Sequence, residues 1–140
     1  MNKIAVIIFG ALLLALPALG ERIHTIRVAP LVSNQPMQQS YADLMTAKLI
    51  SHLTAAGVSV IEGESDTPTD AVLNVTFSVR EVAGVGGSWY HIEGPARLTD
   101  MDGKVIWADE AHNTKFAHSS STSFAEDVAR KVEAFLSTQK

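Results

Sequence analysis

At 140 residues, with 11 Lys and Arg against 15 Asp and Glu, the chain has the size of one ordinary domain and a formal net charge of −4. It contains no cysteine, which excludes disulfides, thiolate catalysis and cysteine metal sites, so packing alone must hold the fold. The acidic balance lacks the cationic block that nucleic acid or anionic lipid attracts, and it argues against nucleic-acid binding.

Residues 1–20, MNKIAVIIFGALLLALPALG, read as a secretory signal peptide. Lys3 supplies the positive n-region, and Ile4 to Leu16 form an apolar run of about the 7–15 residues expected of an h-region. Pro17 breaks the run, Ala18-Leu19-Gly20 offers small residues for cleavage, and charged Glu21-Arg22 follows. The run is shorter than the ~20 apolar residues that a spanning helix needs. The mature chain is therefore expected to start at Glu21, with residues 21–140 as a single globular domain. Losing Lys3 leaves 10 Lys and Arg against 15 acids. With no cysteine at the cleavage site a direct lipid anchor is excluded, and the expected location is the periplasm or the exterior of a bacterium.

Residues 22–29 alternate Ile23, Thr25, Arg27 and Ala29 with His24, Ile26 and Val28 before Pro30, which predicts a first strand inside the sheet. Ser33-Asn34-Gln35-Pro36 reads as a loop. Ser40 and Asp43 have the spacing of a capping box, and Met45, Leu49 and Leu53 follow at helical intervals flanked by Tyr41, Ala42, Leu44 and Ile50. Gly57 falls where a left-handed residue closes a helix. Val58 and Val60 begin a second strand, and a strand-helix-strand unit of this length predicts that the two strands are parallel.

The polar loop 63–70 leads to the clearest strand, in which Ala71, Leu73, Val75, Phe77 and Val79 alternate with polar residues. Gly84-Val85-Gly86-Gly87 connects it to an extended segment, Trp89 to Leu98, where Gly94-Pro95 predicts a bulge or an edge position. Asp102-Gly103 predicts a tight turn. Lys104 to about Lys115 forms the return strand, with Val105 and Trp107 on one side, and the three strands make an antiparallel meander. Ser119 to Thr122 reads as a linker. Ser123 with Glu126 forms the second capping box, starting a helix whose stripe is Ala125, Val128, Ala129, Val132, Phe135 and Leu136. The expected fold is α+β with an α/β-like start: a mixed sheet of about five strands, in the order β-α-β-β-β-β-α, with two helices packed on it.

The chemistry-bearing residues form no strong constellation. Of the five histidines, His24, His52, His91, His112 and His118, none makes an HxH or HxxxH pair, and a metal site would need strand register to bring His91 and His112 together. The glycine cluster 84–87 is flanked by strands, whereas a phosphate loop runs from a strand into a helix N-terminus. No serine lies in a G-x-S-x-G elbow. Glu62, Glu64, Asp66 and Asp70 crowd one loop but lack the calcium pattern D-x-D-x-D-G, so a solvated acidic loop is the plainer reading. Asn74-Val75-Thr76 matches a glycosylation acceptor within a strand of what the leader marks as a bacterial chain. Trp89 and Tyr90, beside the glycine cluster, are candidate partner-contact residues, with a core position for one of them as the alternative. No motif implies a cofactor.

The segments IRVAPLVSN, YADLMTAKLISHLTAAGVSVIE, DAVLNVTFSV and ARLTDMDGKVIWADEA occur in an order that resembles a group of bacterial envelope domains. The group comprises the periplasmic domain of the curli-secretion lipoprotein family, the outer-membrane activators of peptidoglycan synthases and the N-terminal domain of the Tol-Pal propeller protein. The chain differs from the lipoprotein members in lacking their anchoring cysteine and segments long enough for a secretion pore. The resemblance carries over no functional residue. It implies a non-catalytic protein that binds another envelope protein or assembles with itself. The alternatives are a metal-binding or enzymatic periplasmic protein using His91 and His112, and a carrier of a small apolar ligand between helices and sheet.

Overall fold

Alternation in β1 (Thr25–Val28) sends Ile26 and Val28 into the core with no exposed surface and leaves Thr25 and Arg27 on the other face. The computed structural model describes residues 23–35, 39–62, 67–84, 87–113 and 120–139. The leader expected over residues 1–20 and its cleavage point lie outside the described residues. Pro30 does not end the sheet. A second short strand, β2 (Val32–Ser33), resumes beside the same neighbour as β1. Ile26 stands opposite Ala71 and Val32 opposite Thr76, so the β1–β2 side gains one residue at the proline, the signature of a bulge. The sequence had assigned Ser33 to a loop.

Helix α1 (Gln39–Ala55) buries Ala42, Met45, Thr46, Leu49 and Leu53. It begins one residue before the expected cap Ser40, and Gly57 ends it at φ 92°, the left-handed conformation that glycine adopts without strain. Strand β3 (Ser59–Glu62) then pairs parallel with β1, as the strand-helix-strand pattern predicts. Strand β4 (Ala71–Gly84) pairs parallel with β1 and β2, and antiparallel with β5 (Gly87–Asp100), which in turn pairs antiparallel with β6 (Val105–His112). The six-stranded mixed sheet has the order β3-β1-β4-β5-β6, with β2 continuing the β1 position. It is an open sheet.

Gly94-Pro95 corrects the sequence reading, because β5 runs through it between β4 and β6 without lying at an edge. The ladder to β4 passes from Val75↔Ala96 to Ser78↔Glu93 in one register. A Cβ on Gly94 would lie 1.8 Å from the Thr76 carbonyl oxygen and 2.8 Å from the Phe77 Cα. Glycine is therefore required by close backbone approach. The register irregularity lies instead between Leu98 and Thr99, opposite Trp107 and Val105. It breaks the alternation expected in the return strand: Ile106 and Trp107 both pack on the core, and Val105 is 47% exposed. The Asp102-Gly103 turn forms as expected, with Gly103 at φ 88° and the Asp100 carboxylate accepting the Asp102 and Lys104 N–H groups.

Helix α2 (Ser120–Ser137) starts earlier than the capping box at Ser123 predicts, so Ser123 and Glu126 lie within it. Its stripe of Phe124, Ala125, Val128, Ala129 and Val132 is buried, with Phe135 and Leu136 partly so. Both helices cover one face of the sheet, where they meet Leu73, Phe77, Ile92 and Leu98. Phe77 and Phe124 lie 6.2 Å apart at the centre. The other sheet face carries Asn74, Thr76, Arg80, Glu93 and Arg97 and is covered by no described element. No described helix is long and apolar enough to cross a membrane.

Candidate interaction surface

The β4–β5 hairpin is longer than its neighbours can flank. The last β2 partner on β4 is Phe77, and the last β6 partner on β5 is Glu93. Val79 and Ile92 form the final buried pair, yet the ladder continues through Arg80↔His91, Glu81↔Tyr90, Val82↔Trp89 and Ala83↔Ser88 to Gly84↔Gly87. Residues 80–84 and 87–91 thus make a two-stranded arm beyond the body of the sheet. Residues 85 and 86 of the glycine cluster lie outside the described residues.

The root of this arm is held by three contacts. Tyr90 is 45% exposed, and its ring lies 6.4 Å from that of Tyr41 in the first turn of α1. The buried Asn113 side chain acts as an extra rung beside β5: Nδ2 donates to the Tyr90 carbonyl at 2.7 Å and Oδ1 accepts the Ile92 N–H at 2.9 Å. The Ser120 hydroxyl, at the start of α2, donates to the same Tyr90 carbonyl at 3.4 Å. Trp89 meets His91 edge-on at 5.6 Å and is half-buried.

Register does bring His91 and His112 to the same sheet face, but Glu93 stands between them. His91 Nε2 donates to Glu93 Oε1 at 2.8 Å, and Glu93 is directly opposite His112. The His91 hydrogen bond, with the charges of His91, Arg80 and His112, outweighs desolvation and lowers the Glu93 pKa. Among the described residues no group of three or more His, Cys, Asp or Glu side chains is placed to hold a metal ion. Of the other histidines, His52 faces Glu126 across the two helices at 3.7 Å, the His24 N–H is bound by Asp70, and His118 lies outside the described residues.

The acidic loop does not assemble either. Asp70 Oδ2 accepts the His24 and Thr25 N–H groups at 2.7 and 3.0 Å, fixing the entry to β1, while Glu62 pairs opposite Val28 in β3. Glu64 and Asp66 lie outside the described residues.

Two carboxamide or carboxylate side chains that the sequence reading passed over are central here: Asn113 and Asp127. The Asp127 carboxylate, 7% exposed, accepts the His112 backbone N–H at 3.0 Å, lies 3.1 Å from Lys131 Nζ and pairs with Arg130. Burial would raise its pKa, but the His112 N–H, Lys131 and Arg130 outweigh burial and leave it lowered. Lys131 also donates to the Glu110 carbonyl at 2.6 Å. Asp127 and Lys131 together occupy the outward backbone groups of β6. Their spacing, an acid three and four residues before two cations and beside the apolar stripe, is the one signal in the sequence that could have marked them.

Two surface hollows accompany the arm. One, of about 490 Å³, lies between the C-terminal turns of the helices and is walled by Ala56, Val58, Ala134 and Leu136, with Arg130 and Glu133 beside them. The other, of about 400 Å³, lies on the uncovered sheet face around Pro95, Arg97 and Ala108. Neither is the space between helices and sheet expected of an apolar-ligand carrier.

These features define a two-layer α+β domain with a mixed, half-covered sheet and a projecting hairpin. The sequence matches no family model and no curated protein. Among solved structures, the fold is similar to a PelC dodecamer from Paraburkholderia phytofirmans, with a TM-score of 0.62 at 20% identity over 82% of this chain and 87% of that one. A second crystal form of that dodecamer matches at 0.57 and 20% over 78% of this chain and 86% of that one. A Xanthomonas campestris protein of family DUF330 matches at 0.54 and 14%, over 81% of this chain and 82% of that one. At these identities the likeness establishes the fold.

Proposed function

We propose that this chain is an exported, non-catalytic bacterial envelope protein that works by protein contact and assembles with copies of itself. The observation that carries this reading is that four-fifths of the chain shares its fold with PelC, whose solved structures are dodecamers. The leader over residues 1–20 supports export to the periplasm or beyond. The resemblance to the curli-secretion, synthase-activator and Tol-Pal domain group favours the same mode of action. Trp89 and Tyr90 lie on a projecting arm, in keeping with a contact role for large aromatics.

Light scattering on the chain exported from a bacterial host and purified in its processed form tests this. The expected result is a species of several subunits with a cleaved N-terminus at Glu21. A strictly monomeric protein that also crosslinks to no envelope partner in cells contradicts the reading. Zinc or copper retained through purification and lost in His91→Ala would favour the metal-binding alternative instead.

A further inference from the structure

We propose that the β4–β5 arm is the element by which one copy of this chain grips the next, seated in the hollow between the C-terminal turns of α1 and α2 of that neighbouring copy. The proposal rests on self-assembly and names its surface. A two-stranded ribbon with no third strand is marginally stable in water. Here the ribbon continues from Arg80↔His91 to Gly84↔Gly87 past the last partners that β2 and β6 supply. Its root is fixed by Tyr41, Asn113 and Ser120, so the distal part is presented rigidly rather than left to fray.

The hollow lies at the other end of the molecule. Both helices point their first turns at the arm, through Tyr41 and Ser120, so their last turns are distant from it. The 17 residues of α1 alone span about 25 Å at the helical rise. The two surfaces also match in chemistry. Ala83, Gly84 and Gly87 make the arm thin and exposed, which suits a hollow walled by Ala56, Val58, Ala134 and Leu136. Arg80 and Glu81 on the arm can meet Glu133 and Arg130 beside that wall with opposite charges. Because arm and hollow lie at opposite ends, each copy gives its arm to one neighbour and receives the arm of another. Such heterologous contacts generate a ring when the rotation closes and a filament when it does not.

The absence of cysteine makes disulfide trapping clean. In the double variant Ala83→Cys with Ala134→Cys, both positions exposed, oxidation is expected to produce a ladder of covalent multimers on a non-reducing gel. Each single variant is expected to give none above dimer. Independently, Ala83→Glu is expected to raise the concentration at which the assembly dissociates at least tenfold while leaving the circular dichroism unchanged. If the wild type assembles but the double variant gives no ladder, or Ala83→Glu assembles as the wild type does, the arm assignment is overturned and self-assembly stands. If the wild type is monomeric at every concentration, both fall.

Discussion

The helix-covered body of the sheet and the β4–β5 arm treat exposed backbone in opposite ways. In the body, each place where pairing stops is closed by a side chain. Gln39 serves Leu31 and Ser33 beside β2, Thr46 accepts the Leu31 N–H, Asn113 continues β5, and Asp127 with Lys131 closes β6. The far edge, β3, is only four residues long. These are the ways in which natural sheets avoid indiscriminate edge pairing. The arm runs on past its neighbours instead. The difference teaches that the fold suppresses association through its edges and leaves one element placed to make it.

Substitutions in the two regions should separate stability from assembly. The largest loss is expected in the body. Phe77→Ala removes a ring that is 1% exposed and packed on Phe124, and should cost about 3–5 kcal/mol by denaturant unfolding. A cost below 1 kcal/mol would mean that the centre of the core is elsewhere.

Asp127→Asn should cost about 1.5–3 kcal/mol at neutral pH, since it weakens charge-assisted bonds to Lys131, Arg130 and the His112 N–H. It should also flatten the acid limb of the stability profile. The folded pKa of Asp127 lies below its unfolded value, so its contribution is complete above the unfolded carboxylate value and is lost as pH falls through the folded one. Chemical denaturation between pH 7 and pH 3 checks this. An equally steep limb in Asp127→Asn would assign the acid sensitivity to other carboxylates.

Asn113→Ala should cost about 1–3 kcal/mol by leaving the Ile92 N–H and Tyr90 carbonyl without their side-chain partner. Faster amide exchange should follow at the arm's root. The smallest effect on folding belongs to the arm: Ala83→Ser should change unfolding by less than about 0.5 kcal/mol, as expected of an exposed site. A large loss there would make the arm part of the folded body.

Much of the body was legible in the sequence because burial on one face writes its own period. The alternation from Ala71 to Val79, the stripe of α2, the left-handed Gly57 and the turn at Gly103 all follow from that rule or from backbone sterics. Short-range punctuation was less reliable. Pro30 and Gly94-Pro95 read as stops, but one is absorbed by a one-residue bulge and the other by close approach of β4. Strand β2, two residues long, carries no period at all. The site was legible only in part. Trp89 and Tyr90 stood out by composition, yet the arm exists because β2 and β6 stop short, a property of pairing and not of any local segment. Asn113 and Asp127 escaped because a polar residue that replaces a missing strand partner looks like any other polar residue in sequence.

The most direct test of the account is amide hydrogen exchange on the processed protein, followed as a function of protein concentration. The account predicts that residues 80–84 and 87–91 become protected as the concentration rises, while the amides of β1 and the covered half of β4 are protected throughout. Exchange in the arm that is independent of concentration, across a range where the protein passes from monomer to assembly, would contradict it.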